Sequence, residues 1–164
     1  MLEVVSTSED AEIRSISAAG IIGVDWVLGG THPERGRQIL AGTPARYCPF
    51  PGTVADHPSI LKGEITEIAE HARRLTATPG IDGLDLLAYR HVSADPVLLV
   101  RSVVAAASGP VIVAGSVASP QQIRDIAAAG AWGFTIGSAI FEGLLPGGPD
   151  IAGQIKAVLS AASE

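Results

Sequence analysis

Two glycine–serine pairs stand where apolar runs of the sequence end, and both could bind an anion. Gly115 and Ser116 end the run VIVA, and Gly137 and Ser138 end the run WGFTI. Glycine lets the backbone approach an anion closely, and the N–H groups at the start of a helix attract negative charge. The two pairs together predict one pocket for a phosphate group, which we call the Gly-Ser cup. The alternative is that these glycines only allow tight turns between strands and helices.

Arg90 is a candidate for binding or orienting the substrate. It ends the apolar run LDLLAYR, and a guanidinium group can bind a carboxylate or a phosphate through two hydrogen bonds. In an extended strand Leu86, Ala88 and Arg90 share one face. This alternation predicts that Arg90 points to the open end of the sheet, where it could orient or polarise a substrate. The alternative is a surface arginine at the start of a helix.

Two histidines and a lysine are candidates for moving a proton. His91 follows Arg90, and His32 ends a Gly-Gly-Thr-His turn after the second apolar run. Histidine titrates near neutral pH, which suits general acid–base catalysis. Lys62 could form a Schiff base or hold an anion. The alternatives are solvated loop residues for His91 and Lys62, and a helix cap for His32.

Other reactive or aromatic side chains are assigned to packing. Cys48 is the only cysteine, so no disulfide forms within the chain, and we expect a buried packing residue. Asp85 stands early in its apolar run, where we expect it to accept hydrogen bonds from turn N–H groups. Trp26 and Trp132 fit positions packed against helices. No pair of histidines has the spacing of a zinc site, so we expect no metal, and we expect no cofactor.

Strand-length apolar runs alternate with helical patterns along the whole chain of 164 residues. Six strands are predicted, at residues 2–6, 24–28, 45–49, 84–89, 111–114 and 132–136. Helices are predicted at residues 8–19, 33–40, 65–75, 95–107, 121–129, 139–141 and 151–161, with Ser8 or Thr7 as the first N-cap. Residues 50–62 are predicted to form a long loop. Six successive strand–helix units without a linker predict a single α/β domain over residues 1–164 with a parallel sheet.

Composition and charge exclude several classes of function. The formal net charge is −6, and no basic stripe is visible, so we expect no nucleic-acid partner. Apolar runs stop well short of the ~20 residues that span a bilayer. The N-terminus is acidic and lacks the basic start of a secretory signal. We therefore expect a cytoplasmic protein that binds neither nucleic acid nor membrane.

The stretch VIVAGSVASPQQIRDIAAAGAWGFTIGSAIFEG, residues 111–143, resembles the last two strand–helix units of the phosphate-binding (βα)8 barrels. It is similar to the phosphoribosyl isomerases of histidine biosynthesis, and also to N-acetylmannosamine-6-phosphate epimerase and thiamine phosphate synthase. The resemblance implies a TIM-barrel-like fold, with a phosphate held by the loops after strands seven and eight. Over residues 1–110 only the strand–helix rhythm matches.

The resemblance also implies that strands one and two of the barrel are missing. Gly115 and Gly137 would end strands seven and eight, so Leu2 would begin strand three. The fold would be an incomplete or N-terminally truncated (βα)8 barrel with two open sheet edges. Open edges and apolar helix faces are liabilities unless they are covered, so we expect a homo-oligomer. Catalytic acids that the family carries on strand one have no counterpart here.

Three hypotheses about function follow from these residues. The first is an isomerase, epimerase or lyase that acts on a small phosphorylated sugar-like metabolite. The second is a non-catalytic phosphometabolite-binding or regulatory protein that keeps the Gly-Ser cup. The third, least favoured, is a flavin-phosphate binder. Fold and cup are shared by many chemistries, so the sequence does not name the substrate.

Overall fold

The computed structural model describes residues 1–6 and 8–163 and confirms an α/β fold of alternating strand–helix units. The strands are β1 (Leu2–Val4), β2 (Trp26–Gly29), β3 (Arg46–Cys48), β4 (Thr53–Ala55), β5 (Ile60–Lys62), β6 (Leu84–Leu86), β7 (Val111–Val113) and β8 (Gly133–Phe134). The helices are α1 (Glu9–Ile22), α2 (Pro33–Leu40), α3 (Ile65–Thr76), α4 (Pro96–Ala106), α5 (Pro120–Ala128), α6 (Ser138–Phe141) and α7 (Ile151–Ala162).

Side-chain caps begin several of the helices, and Ser8 is one of the two residues predicted to cap the first. The side chains of Ser8, Asp95 and Ser119 each accept a hydrogen bond from the first turn of α1, α4 and α5. The other predicted cap, Thr7, lies outside the described residues. Helix α1 runs past its predicted end and stops at Gly23, whose φ of +78° is the left-handed conformation that suits glycine. Among the described helices, none combines the length and the apolar character of a membrane span.

Six parallel strands form the body of the fold. Strands β1, β2 and β3 pair in that order, and so do β6, β7 and β8. Two backbone hydrogen bonds join β3 to β6: Asp82 N donates to Tyr47 O at 2.8 Å, and Asp85 N donates to Pro49 O at 3.1 Å. The order is therefore β1-β2-β3-β6-β7-β8. Within the described residues β1 and β8 pair on one side only, so the barrel is not closed.

Side chains alternate between two faces of this curved sheet. One face carries Val27, Leu84 and Val113 against the helices, in the main hydrophobic core. The other face carries a smaller apolar cluster, in which Leu28 and Cys48 pack with Ile112 of β7. This second face is the inside of the incomplete barrel, and Glu3 and Asp85 belong to it because each stands between two helix-facing neighbours.

The segment predicted as a loop, residues 50–62, contains a β-hairpin, so that prediction was wrong. Strands β4 and β5 pair antiparallel, and Val54 lies opposite Leu61. Leu61 is fully buried and bridges to His91 in the parallel direction. Proline and glycine obscured these three-residue strands in the sequence, and tertiary packing of Leu61 supplies the stability that a short isolated hairpin lacks.

Two predictions about local geometry were also wrong, one about the extent of a strand and one about the packing of the tryptophans. The strand predicted at residues 84–89 ends at Leu86, and Ala88–Arg90 form a 3₁₀ turn, so the alternation argument does not reach Arg90. The two tryptophans do not pack under helices. Trp26 and Trp132 contact each other across the inside of the barrel, with ring centroids 5.2 Å apart, and the guanidinium of Arg46 lies over the Trp26 ring at 4.9 Å.

Candidate functional site

The two Gly-Ser pairs line one small cavity beyond the carboxyl ends of β7 and β8. We call it the cup cavity, and its volume is about 140 Å³. The residues around it are Glu3, Arg90, Gly115, Ser116, Val117, Thr135, Ile136, Gly137 and Ser138. The structure therefore brings together the four residues of the Gly-Ser cup and adds Arg90 to them. It places the cavity at the strand ends where barrel enzymes carry their active sites.

Gly115 is required because the stem of Arg90 lies directly against it. Its φ is +77°, and a Cβ atom at this position would lie 2.8 Å from Cδ and 2.9 Å from Nε of Arg90. Arg90 Nε donates a hydrogen bond to Ser116 Oγ at 3.2 Å. Ser116 also has a positive φ, +60°, which is a strained conformation for a residue other than glycine. The strained turn thus fixes the guanidinium at the wall of the cup cavity.

The cup cavity has unused hydrogen-bond donors. Within the described residues, the N–H groups of Gly115, Ser116 and Gly137 donate none of the backbone hydrogen bonds of the loops and caps. In the same part of the chain, Arg90 donates only through Nε, so its terminal nitrogens remain available. Gly137 precedes the short helix α6, and a Cβ atom there would meet no heavy atom within 4 Å. These donors suit a small anion.

Glu3 is a member of the cup cavity that the sequence analysis did not single out. It comes from β1, at the opposite edge of the sheet from β8, so the curved sheet brings both edges to one cavity. Desolvation by its surroundings raises the pKa of Glu3, and the charge of Arg90 lowers it in part, although the residue as a whole is exposed to solvent. The sequence feature that could have identified Glu3 is a single acidic residue inside the otherwise apolar strand LEV.

The side chain of Asp85 lies on the same inner face and has no hydrogen-bond partner among the described residues. Its side chain is fully buried, and both carboxylate oxygens are unpaired. Burial raises the pKa of Asp85 well above its ordinary value, and the nearby Glu3 raises it further. The prediction that Asp85 accepts hydrogen bonds from turn N–H groups was wrong, because neither of its carboxylate oxygens accepts a hydrogen bond from the described part of the chain and the side chain lies on the inside of the barrel.

A second and larger cavity, of about 310 Å³, lies between the ends of β1 and β2 and the β4–β5 hairpin. We call it the hairpin cavity. Its wall includes Glu12, a buried residue of α1 that the sequence analysis also missed. One Glu12 oxygen accepts hydrogen bonds from Thr31 N and Thr31 Oγ1, each at 2.9 Å, and the other accepts from His32 N at 2.8 Å. Burial raises the pKa of Glu12, but these hydrogen bonds outweigh it, and the net shift is downward.

His32 lies in the hairpin cavity and not in the cup cavity. Its Nδ1 is 3.2 Å from Glu12 Oε2, and its Nε2 is 3.7 Å from Glu9 Oε2. A shallow groove lined by Ser59, Arg90, His91 and Ser116, among others, shares Ser59 with the hairpin cavity. The same groove shares Arg90 and Ser116 with the cup cavity. The two cavities are therefore neighbours along one edge of the sheet.

His91 uses both ring nitrogens to hold the backbone. Nε2 lies 2.8 Å from Gly63 O, and Nδ1 accepts hydrogen bonds from Ser93 N at 3.1 Å and Ala94 N at 2.8 Å. These contacts assign the proton to Nε2. In this arrangement His91 ties the turn after Arg90 to the hairpin, and neither nitrogen faces the cup cavity.

Lys62 and Cys48 lie apart from the cup cavity. Lys62 Nζ forms an exposed ion pair with Asp56 at 3.2 Å, and its side chain borders a different depression beside α3. Cys48 is fully buried, and burial first, then the nearby carboxylates Asp85 and Asp82, raise the pKa of its thiol to about 12. The thiol is therefore protonated and packs as an apolar group, as the sequence predicts.

Comparisons with known proteins identify the fold. No family model and no curated protein sequence matches the chain. The chain resembles the structure of the Amycolatopsis orientalis BexX/CysO complex, with a TM-score of 0.64 and 14% identity over 99% of this chain and 66% of that one. It also resembles the tryptophan synthase A-subunit of Pyrococcus furiosus, with a TM-score of 0.61 and 15% identity over 93% and 60% of the two chains.

A third similar structure is that of a protein from Coccidioides immitis assigned as a deoxyribose-phosphate aldolase. The TM-score is 0.60 at 18% identity, over 97% of this chain and 65% of that one. The chain thus spans 60 to 66% of the length of these three structures. At such identities the likeness concerns the fold. The chain is a TIM-barrel-type α/β protein whose described strands form an incomplete barrel.

Proposed function

We propose that this chain binds the phosphate group of a small sugar-like metabolite and acts on it as an isomerase, an epimerase or a lyase. The observation that carries the proposal is the cup cavity. One guanidinium group and two consecutive glycine–serine turns converge on about 140 Å³, a space for a small anion rather than for a large ligand. The Arg90 side chain supplies the positive charge, and the backbone supplies amide donors.

The position of the cavity supports an enzyme over a passive binder. It lies at the carboxyl ends of β7 and β8, and the hairpin cavity and the groove continue from it along the same edge. A phosphate held at one end leaves room for the remainder of a substrate beside Glu3, His32 or the groove. Carboxyl and imidazole groups are the usual agents of proton transfer in isomerisation and carbon–carbon cleavage. The Coccidioides immitis neighbour, named for a phosphorylated sugar, fits this class.

The second candidate is a phosphometabolite-binding or regulatory protein without turnover. Two observations favour it: His91 is occupied by backbone contacts, and Lys62 is paired away from the cup cavity. This candidate keeps the same Arg90 and Gly-Ser cup, so it shares the ligand class with the first and differs only in the absence of chemistry.

The test compares ribose 5-phosphate with ribose, and glycerol phosphate with glycerol, by isothermal titration calorimetry on the whole chain. We expect binding of the phosphorylated member of each pair and none of the other. A subsequent screen of phosphorylated sugars for isomerisation, epimerisation or cleavage separates the enzyme from the binder. Equal affinity for both members of each pair would refute the phosphate site and with it both candidates.

We also propose that the chain self-associates. Helix α7 exposes Ile151, Ile155 and Leu159, which are spaced four residues apart and therefore share one face. Among the described strands the outer edge of β8 is also unpaired, and Trp132, just before β8, is 60% exposed. A second copy of the chain would cover these apolar groups.

A further inference from the structure

Glu3 presents an electrostatic problem for the proposed phosphate site. It lines the cup cavity beside Arg90 and the Gly-Ser cup, in a volume of about 140 Å³. Within the described wall, Glu3 and Arg90 are the only charged side chains. An ionised Glu3 would cancel the charge of Arg90 and repel a dianion over a short distance. A phosphate group and a Glu3 carboxylate therefore compete for the same guanidinium.

The surroundings of Glu3 favour its neutral form once an anion occupies Arg90. Two charged or titratable groups face it from other elements: Arg90 from the 3₁₀ turn and Asp85 from β6. Its partner on the neighbouring strand is the apolar Leu28, and the β8 side of the cavity contributes only uncharged groups. Asp85 is itself an acid, so it can supply no positive charge to Glu3, and its fully buried carboxyl group has no hydrogen-bond partner among the described residues. When an anion takes over Arg90, the only cation beside Glu3 is engaged.

We propose that Glu3 binds the anion as a neutral carboxyl group, so that filling the cup cavity takes up one proton at Glu3. The inference rests on the proposed phosphate site and adds to it a proton-bearing residue beside the ligand. A protonated Glu3 turns from a repelling acceptor into a hydrogen-bond donor toward a phosphate oxygen or toward an oxygen of the attached substrate. It is then the acid–base group best placed to exchange a proton with a bound sugar phosphate.

The burial that raises the pKa of Glu3 supports this assignment, and so does the opposing influence of Arg90. In the empty cavity Arg90 stabilises the carboxylate, whereas in the filled cavity the guanidinium is shared with the anion and that stabilisation weakens. The pKa of Glu3 is therefore higher in the complex than in the free protein. By linkage, a group whose pKa rises on binding makes the ligand bind more tightly at lower pH.

The experiment uses sulfate as the probe, because sulfate keeps a constant charge between pH 5 and 8. Titration calorimetry in buffers of different ionisation enthalpy counts the protons taken up per sulfate bound. We expect uptake of up to one proton by the native chain, with affinity falling by up to about tenfold per pH unit as pH rises. Glu3→Gln should bind sulfate more tightly at pH 8 and without the proton uptake. Glu3→Asp, which keeps the carboxyl group, should retain the uptake.

The matched control is Glu142→Gln, which removes one exposed carboxylate just after α6 without touching the cup cavity. It should behave as the native chain does, which separates a local effect of Glu3 from a change in net charge. Equal proton uptake by the native chain and Glu3→Gln would overturn the assignment of the proton to Glu3, while sulfate binding itself would still support the proposed function. Absence of sulfate and inorganic phosphate binding in every variant across this pH range would refute both proposals.

Discussion

The indole rings of Trp26 and Trp132 lie 5.2 Å apart, although their strands β2 and β8 are not neighbours in the sheet. The contact spans the inside of the incomplete barrel at the amino ends of these strands. It shows that the sheet curves far enough to bring the segment at β8, one edge of the sheet, close to β2, the strand next to the other edge. The same curvature brings Glu3 of β1 to the cup cavity at the opposite end of β8. The site therefore depends on a barrel-like curvature that six strands suffice to produce.

Arg90→Ala should weaken phosphate binding. A hydrogen bond to a charged group contributes about 1.5–3 kcal/mol, so we expect an affinity loss of roughly 10- to 100-fold in calorimetric titration with inorganic phosphate. The control is Arg101→Ala, which removes an exposed arginine from α4, away from the cavity. Unchanged affinity in Arg90→Ala would show that the phosphate binds elsewhere.

Gly115→Ala and Gly137→Ala should differ in stability. The first places a methyl group 2.8 Å from Arg90 Cδ on a backbone with a φ of +77°, and we expect a loss of about 1–3 kcal/mol in urea unfolding. The second meets open space at a φ of −131°, so the free energy of unfolding should stay within about 0.5 kcal/mol. A similar loss in both variants would contradict the packing of Arg90 on Gly115.

Glu12→Ala should destabilise the chain by about 2 kcal/mol or more, because it leaves the amide groups of Thr31 and His32 without their buried acceptor. The pKa of Glu12 is lower in the folded chain than its ordinary value of 4.5. Its stabilisation is thus complete above that value and is lost as pH falls through the folded pKa. In Glu12→Gln the free energy of unfolding should therefore fall less steeply as the pH is lowered. Glu34→Gln removes an exposed carboxylate and should change the free energy of unfolding little at any pH. An equal effect of Glu12→Gln and Glu34→Gln on acid unfolding would argue against the buried role of Glu12.

Asp85→Leu should stabilise the chain at neutral pH. The pKa of Asp85 is raised well above its ordinary value of 3.8, so the folded state is penalised as pH rises through and beyond that value. The gain in Asp85→Leu should therefore appear at pH 7 and shrink below pH 4, as measured by thermal unfolding at several pH values. Asp82→Ala provides the contrast, because Asp82 Oδ2 accepts a hydrogen bond from Tyr47 N at 2.9 Å and its loss should destabilise. Destabilisation by Asp85→Leu at all pH values would point to a hidden partner of Asp85.

Self-association should depend on the exposed face of α7. The double substitution Ile155→Glu and Leu159→Glu should shift sedimentation velocity profiles to the monomer, because both side chains are exposed on one helical face. Lys156→Glu changes charge on the same helix but leaves the apolar face intact, and it should retain the oligomer. A native chain that sediments as a monomer at high concentration would refute the proposal.

The sequence predicts those elements whose signals are local. Pro33–Leu40 forms the predicted helix because proline at its first position and an amphipathic pattern both act within the segment. The turns at Gly115 and Gly137 also follow from local chemistry. Their convergence on one cavity depends on parallel pairing of β7 and β8, which the alternating pattern already implied.

The remaining features depend on tertiary contacts. The β4–β5 hairpin exists because Leu61 is buried against other elements, and no residue pattern inside residues 50–62 shows this. Glu3 was missed and Asp85 was assigned the wrong role because a short strand covered on both faces has few positions from which to tell inside from outside. Arg90 lies at the open end of the sheet, as predicted, but a 3₁₀ turn places it there and not the alternation of side chains along a strand.

Hydrogen bonds connect the β4–β5 hairpin to the two residues that follow Arg90. Val92 N donates to Leu61 O at 3.1 Å, and the ring of His91 reaches Gly63 O at 2.8 Å, so the segment after Arg90 is anchored to β5 on two sides. A displacement of the hairpin should therefore also displace His91, the residue that follows Arg90. If the proposed phosphate site is correct, we expect a ligand in the hairpin cavity to alter anion binding at Arg90 through these contacts, without contacting Arg90 itself.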